Sequence, residues 1–338
     1  MRAMRLHQYG EPLRLEEVPA PVGAPGDVVL RVLACGVGLT TVKSTRAAGR
    51  FARPLPFVPG HEVVGEVVEV GAEVHHVRPG DRATLYYYLA CGQCRFCLRG
   101  YDDLCINLRG MVHGGYAEYI AVPGRNAFPL PANLDPVAAT AICDAIATPL
   151  HVCSGRLRLQ PGERVLIMGA GGRVGVHLVQ MVRLFGAEAL AVDAAEWKLA
   201  RLAELGATPL PAGPDLPQRV AAATGGAGVE GAVDLVGTAD TLSACLASLG
   251  MGGRLVNIVG TLDPWPLVPA DLLGRELTIA GSRYVSRFEL TQAINLVDRG
   301  KIRAIVGETL PLEGVNDLHQ SILSSRLWGM GAVVPGLG

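Results

Sequence analysis

Hydrophobic and polar positions follow two different periods along the chain. From about Gly26 to Val122 the apolar runs are short and Val-rich, as in DVVLRVLACGV and HEVVGEVVEVG, and Pro/Gly turns such as Pro79-Gly80 separate them. This predicts an all-β, barrel-like region. From about Gln160 the pattern becomes strand, helix, strand, helix: RVLIMGA, GVHLVQMVRLFGA, EALAVD, EWKLARLAELGA. Such alternation predicts a parallel sheet with crossover helices. Ala232 to Val236, Arg254 to Val259 and Leu277 to Gly281 read as further buried strands, and Gln292 to Asp298 as a helix. After about Val285 the βα unit no longer repeats, so the tail is expected to rejoin the first region. The expected domains are residues 1–153, 154–286 and 287–338, with the middle one inserted into the other two.

The 338 residues suit two domains, and 49% hydrophobic content is ample for their cores. Lys and Arg number 30 against 31 Asp and Glu, a formal net charge of -1. That balance gives no basic field for nucleic acid or anionic lipid, so neither is expected as a partner. No apolar run reaches the roughly 18 residues a membrane span requires, and the start lacks a signal-peptide pattern. A cytoplasmic protein is expected.

The cysteines change the picture most. Four of eight fall in Cys91-x-x-Cys94-x-x-Cys97-x7-Cys105. In a reducing compartment such crowding points to a metal rather than to disulfides. Four thiolates close a tetrahedral shell and leave no position for substrate, which fits structural zinc; spacing alone leaves an iron–sulfur cluster as the rival. Cys153 and Cys245, in apolar helical contexts, read as small core residues. His75 and His76 read as a surface pair.

A second motif follows the predicted strand Val165 to Met168: Gly169-Ala-Gly171-Gly172-Arg-Val-Gly175, opening directly into a helix. Glycines admit a pyrophosphate close to the backbone, and the helix N-terminus offers free N–H groups. Ala170 replaces the first glycine of a strict G-x-G-x-x-G. Asp193 closes the next strand, where a carboxylate can accept from ribose hydroxyls; a solvated strand end is the alternative. Ala194 and Ala195 follow with no Arg for a 2′-phosphate, which favours NAD(H) over its phosphorylated form. The candidate cofactor-binding residues are Gly169, Gly171, Gly172, Arg173, Val174, Gly175, Asp193 and Lys198.

With the CxxCxxCx7C cluster, the GAGGxVG loop and Pro59-Gly60-His61-Glu62, the chain resembles the zinc-dependent, medium-chain alcohol dehydrogenase family over essentially its whole length. Gly80-Asp81-Arg82, Gly114-Gly115-Tyr116-Ala117-Glu118-Tyr119, Asp234-Leu235-Val236-Gly237 and Gly252-Gly253-Arg254-Leu255 support the likeness. The resemblance implies an α/β plus β fold. A GroES-like, β-barrel-type catalytic domain would carry an inserted Rossmann domain, a doubly wound parallel sheet, with the active site in the cleft between them. It also implies reversible oxidation of small alcohols to aldehydes or ketones by NAD, and a homodimer or homotetramer, for which the strand around Leu277 to Tyr284 offers a self-pairing edge.

The family's catalytic zinc is held by a Cys in C-G-x-C-x-T-D, the His of G-H-E, and a later Cys or Asp. Here the first segment reads Cys35-Gly36-Val37-Gly38-Leu39-Thr40-Thr41, so Gly38 stands where a thiolate is expected and Thr41 where an Asp is expected. Thr40 matches the hydroxyl that passes the substrate proton, and Lys43 occupies a basic relay position. Asp144-Ala-Ile-Ala-Thr148-Pro-Leu-His151 matches the last-ligand segment, with Cys143 one residue out of phase. The resemblance thus implies roles for Thr40, Lys43, His61 and Asp144, and ligand chemistry adds Glu62 to His61 and Asp144 as zinc ligands, since two carboxylates supply the same charge as two thiolates. One imidazole and two carboxylates leave a fourth position for substrate. Tyr86, Tyr87 and Tyr88 fall where related enzymes place a pocket wall, and His151 is expected to pack behind Asp144, to contact cofactor or simply to be buried. Two other readings stand beside this one: a reductase of activated double bonds or quinones with only the structural zinc, in which Lys43 or Tyr87 polarises a carbonyl, and a non-catalytic NAD-binding sensor or structural protein.

Overall fold

The structure, a computed structural model, describes residues 1–49, 53–262 and 264–337. In chain order the strands are β1 (Arg2–Arg5), β2 (Arg14–Glu17), β3 (Asp27–Val37), β4 (Glu62–Val70), β5 (Arg82–Leu85), β6 (Tyr119–Pro123), β7 (Ala127–Leu130), β8 (Arg164–Met168), β9 (Glu188–Asp193), β10 (Thr208–Pro211), β11 (Val229–Asp234), β12 (Leu249–Asn257), β13 (Thr278–Gly281), β14 (Val306–Pro311) and β15 (Met330–Val334). The α-helices are α1 (Leu39–Arg46), α2 (Pro136–Ala139), α3 (Ala147–His151), α4 (Gly175–Leu184), α5 (Glu196–Glu204), α6 (Leu216–Ala223), α7 (Ala239–Ser248), α8 (Pro269–Arg275), α9 (Arg287–Asp298) and α10 (Val315–Leu323). Two compact units divide them: residues 1–144 with 285–338, and residues 145–284.

In the first unit seven strands run β14-β15-β3-β4-β5-β7, with β6 also paired to β3. The tail strands β14 and β15 belong to this sheet. The long β3 joins three neighbours: its Val residues and Leu30 are buried, and its backbone pairs with β4, β6 and β15. Within the span whose pattern reads as all-β, the chain also forms α1. Gly38 is its extended N-cap, and Val42 N–H donates to Gly38 O at 3.1 Å.

The second unit is a six-stranded parallel sheet ordered β10-β9-β8-β11-β12-β13, with α4 to α8 in its connections. The order reverses between β8 and β11, the crevice where doubly wound sheets bind ligands. Leu166, Val192, Ala232 and Leu255 belong to one buried apolar cluster. Two strands end earlier than their apolar runs. β11 stops at Asp234 because its buried carboxylate accepts the Val236 and Gly237 N–H groups at 2.8 and 3.1 Å and turns the chain. β12 stops at Asn257, whose side-chain oxygen accepts from Val259 N–H at 2.9 Å. Across the whole protein, no helix among the described residues is long and apolar enough to cross a membrane.

Candidate functional site

Glu62 opens β4, and its neighbour His61 precedes the strand; both side chains are buried. Asp144 lies on a π-helical turn, Ile142–Ile146, that follows α2. Such widened turns recur at functional sites because they re-aim side chains relative to a regular helix. Here one ligand atom each from His61, Glu62 and Asp144 falls within 4.8 Å of the others. His61 Nε2 is 3.6 Å from Glu62 Oε1. Two ligands on one tetrahedral zinc, with bonds near 2.1 Å, stand about 3.4 Å apart, so the observed gap suits a shared ion. The donor set suits it too: two buried carboxylates repel at this range, and a divalent cation between them offsets that repulsion. Cys143, next to Asp144 in sequence, donates its thiol to Thr140 O at 3.8 Å.

The surroundings fix the imidazole. Thr41 Oγ1 lies 3.1 Å from His61 Nδ1. Tyr87 packs edge-on to the ring with centroids 4.7 Å apart, and Tyr88 packs in turn on Tyr87 at 5.1 Å. Tyr86 instead donates its hydroxyl to Val285 O at 2.9 Å. Thr40 and Lys43 are exposed on α1, three residues apart and hence on one face. Cys35 pairs with Val63 while Gly36 pairs with Glu62, which turns the Cys35 thiol to the opposite sheet face. Burial, then the Glu62 charge, pushes that thiol well above its ordinary range. His113, stacked edge-on against Phe57 at 5.6 Å, is lowered to about 3 by burial and by the charges of His61 and Arg53.

The four cysteines of the loop converge separately. Cys94 and Cys97 Sγ atoms are 3.6 Å apart and those of Cys91 and Cys97 4.0 Å. Zinc–sulfur bonds near 2.3 Å set a tetrahedral edge of about 3.8 Å, so the loop is shaped for one ion. Cys91 N–H donates to Cys105 Sγ at 3.3 Å. The Cys97 backbone N–H leads in lowering Cys94 to about 6, whereas burial raises Cys97. The loop is tied down by a cluster that no sequence spacing signals: Arg125 donates to the buried Asp102 carboxylate at 2.9 Å and to Ala90 O at 3.1 Å, and Arg287 lies 3.6 Å from Asp102.

In the second unit the glycine loop leaves β8 and enters α4. Gly171 N–H donates to Asp193 Oδ2 at 2.9 Å, and Ala195 N–H donates to Asp193 Oδ1 at the same distance. The carboxylate at the end of β9 is therefore held against the loop rather than free in solvent. A Cβ on Gly171 would meet Lys198 Cδ at 2.5 Å and Asp193 Oδ2 at 2.8 Å, and one on Gly175 would meet Ala170 O at 2.4 Å. These close approaches are the work that glycines do in a pyrophosphate loop. Lys198 is buried beside this contact, with burial lowering its ammonium. Gly169, Gly172, Arg173 and Val174 complete the turn, and Arg173 O meets His177 Nδ1 at 2.7 Å. His151, in α3, is buried. His75 and His76 are exposed, with His76 Nε2 3.1 Å from Ala127 O.

Known proteins match the chain across both units. The Alcohol dehydrogenase GroES-like domain family covers residues 24–132, and the Zinc-binding dehydrogenase family residues 174–299. An alcohol dehydrogenase of Geobacillus stearothermophilus is 32% identical over 97% of this chain and 98% of its own length. An NAD-dependent alcohol dehydrogenase of Sulfolobus acidocaldarius is likewise 32% identical, again over 97% and 98%. The crystal structure of an NAD-dependent alcohol dehydrogenase superposes with a TM-score of 0.93 at 33% identity, covering 99% of this chain and 100% of the other. The chain belongs to the zinc-binding, GroES-like alcohol dehydrogenase family of medium-chain dehydrogenases.

Proposed function

We propose that this protein is an NAD(H)-dependent alcohol dehydrogenase that interconverts small alcohols with aldehydes or ketones, with one structural and one catalytic zinc. The observation that carries the reading is the convergence of buried His61, Glu62 and Asp144 within 4.8 Å in a chain that also carries the Gly171–Asp193 cofactor contact. His61, Glu62 and Asp144 would hold the catalytic ion, and Cys91, Cys94, Cys97 and Cys105 the structural one. When bound, the metal supplies Lewis-acid polarisation of the substrate oxygen and the nicotinamide supplies the hydride acceptor. Thr40, the exposed hydroxyl on α1, would accept the alcohol proton as it releases its own toward solvent, with Lys43 one turn on as the basic group beside that path. Gly169 to Gly175 and the α4 N-terminus hold the pyrophosphate, Arg173 adds a charged donor, and Asp193 accepts from the adenosine ribose. Tyr87 and Tyr88 exclude water from one side of His61.

Self-association through β13, an edge strand, fits this reading. Leu262, Leu273 and Val268 nearby are 102%, 86% and 57% exposed, and α8 contributes no buried residue. A homodimer or homotetramer follows. A reducing cytoplasm, where thiolates stay available to a metal, suits the Cys91, Cys94, Cys97 and Cys105 cluster.

Metal analysis of protein purified without added zinc, paired with NAD reduction across an alcohol panel, tests the assignment. Two zinc equivalents per chain and turnover are expected. A single equivalent that disappears in Cys94→Ser would leave the structural site alone and turn the assignment toward a double-bond reductase.

A further inference from the structure

Thr41 and His61 are both buried and meet at 3.1 Å between Oγ1 and Nδ1. A carboxylate in Thr41's place can only accept from the ring N–H. A hydroxyl can accept or donate. When Thr41 accepts, Nδ1 carries the hydrogen and Nε2 presents a lone pair toward Glu62 and Asp144, which is the form a metal ligand needs. When Thr41 donates, Nδ1 is the acceptor and Nε2 carries the hydrogen, pointing it toward Glu62 Oε1, which at 3.6 Å is an electrostatic neighbour rather than a hydrogen-bond acceptor. The same three residues therefore form a coherent polar cluster in either direction of one hydrogen bond.

We propose that Thr41 is a positioning residue whose reversible hydrogen bond makes the His61–Glu62–Asp144 centre an exchangeable divalent-metal site. It donates to His61 when no metal is held there and accepts from it when a metal is bound. The inference rests on the reading of these three residues as metal ligands. It adds that the bond to Thr41, not the ligand set alone, sets how tightly the ion is kept: metal binding must first move the hydrogen from Nε2 to Nδ1, which reverses the Thr41 bond. The rest of the geometry supports a directed role. α1 is anchored at Gly38, so Thr41 faces β4 while its neighbour Thr40 is exposed, and Tyr87 packed on the ring keeps the imidazole from turning away.

The experiment uses the full chain with the four-thiolate zinc in place, and reads zinc affinity of the second site by chelator competition. Outer-shell partners of metal-bound histidines typically change affinity by roughly 10–100-fold. Thr41→Val is expected to weaken zinc by about that factor, Thr41→Ser to stay within about twofold of wild type, and Thr41→Asp, which can only accept, to tighten zinc about tenfold. Thr41→Val within twofold of wild type, or a folded Thr41→Asp that binds zinc no more tightly, overturns the proposal. Should Thr41→Asp fail to fold, the wild-type protein decides. Nitrogen-15 NMR of its imidazoles, with the second site stripped and then refilled, is expected to show His61 hydrogen on Nε2 when stripped and on Nδ1 when zinc-bound. Hydrogen on Nδ1 in both states overturns it. A wild-type chain that takes up no second zinc at saturation defeats the ligand assignment itself, whereas two equivalents with no dependence on Thr41 defeat only this inference.

Discussion

Gly36 and Glu62 stand opposite one another on β3 and β4, and a Cβ on Gly36 would lie 2.5 Å from Glu62 Oε2 and 3.0 Å from Glu62 Cβ. The Met330 methyl, at 2.6 Å, is a flexible end that can retreat, but the Glu62 stem cannot. Gly36→Ala is therefore expected to displace the Glu62 carboxylate from His61 and Asp144. Misplacement of about 1 Å can cost roughly 100-fold in rate, so kcat should fall by about that much. Chelator competition should show the second zinc held more weakly, and NADH titration by fluorescence should be unchanged. Full activity with two zinc ions would show that Glu62 holds no metal.

Asp193 ties the end of β9 to the glycine loop through Gly171 N–H and caps its own turn through Ala195 N–H. Asp193→Ala removes both bonds and, on the proposed reading, the acceptor for a ribose hydroxyl. Hydrogen bonds to a charged group contribute about 1.5–3 kcal/mol, so KM for NAD is expected to rise roughly 10–100-fold while zinc content stays constant. An unchanged KM would remove Asp193 from the cofactor site. Asp193→Asn keeps one accepting oxygen but turns an amide donor toward the other backbone N–H, and should fall between the two.

The features legible in the sequence are those set by short-range spacing. Four cysteines in fifteen residues, and a glycine loop between an apolar strand and an apolar helix, keep their neighbours close whatever the rest of the chain does. His61, Glu62 and Asp144 come from distant segments, and only the family likeness named them together. α1 was hidden because LTTVKSTR is rich in β-branched residues with poor helix propensity. The Thr41–His61 contact was hidden with it, since it requires that helix. The family likeness already selected Asp144 over Cys143, but the π-helical turn that carries Asp144 was hidden, because it breaks the 3.6-residue period on which sequence reading depends. The Asp102 cluster joins Arg125 and Arg287 from far along the chain, with no local pattern to announce it.

That cluster carries its own prediction. Arg125 fastens both flanks of the thiolate loop, through Ala90 O and the buried Asp102 carboxylate, and a Cβ on Gly92 would meet Arg125 Nη1 at 2.1 Å. Arg125→Ala leaves Arg287, at 3.6 Å, as the cation beside Asp102. Because the Arg125 side chain is 38% exposed, solvent screens part of the loss, and about 1–3 kcal/mol of stability is expected to go. Arg125→Lys keeps the charge but not the two-pronged contact, and should recover only part of it. Zinc release to a chelator should quicken in Arg125→Ala. Release at the wild-type rate would uncouple Arg125 from the loop.

Acid sensitivity should come from histidines before carboxylates. His177, fully buried in α4, is lowered from 6.5 to about 4, chiefly by burial, and His319 is lowered to about 4 for the same reason. Both are neutral in the folded chain and protonated in the unfolded chain once pH falls below 6.5. The unfolded state then binds more protons, so stability falls as pH drops from 6.5 toward about 4. Each such group adds up to about 1.4 kcal/mol per pH unit to the slope. The carboxylates Glu16 and Glu118 start from 4.5 and are lowered further, so their contribution is lost only at more acid pH. The Cys94 thiol, lowered from 9 to about 6, also protonates between pH 8 and 5.5, so urea midpoints at pH 8, 6.5 and 5.5 isolate the histidine part only as the difference between wild type and a histidine variant. His177→Gln keeps a donor for Arg173 O and removes one titrating ring, and its stability should fall less steeply than wild type between pH 6.5 and 5.5. Parallel slopes would mean that His177 already takes up its proton in the folded chain.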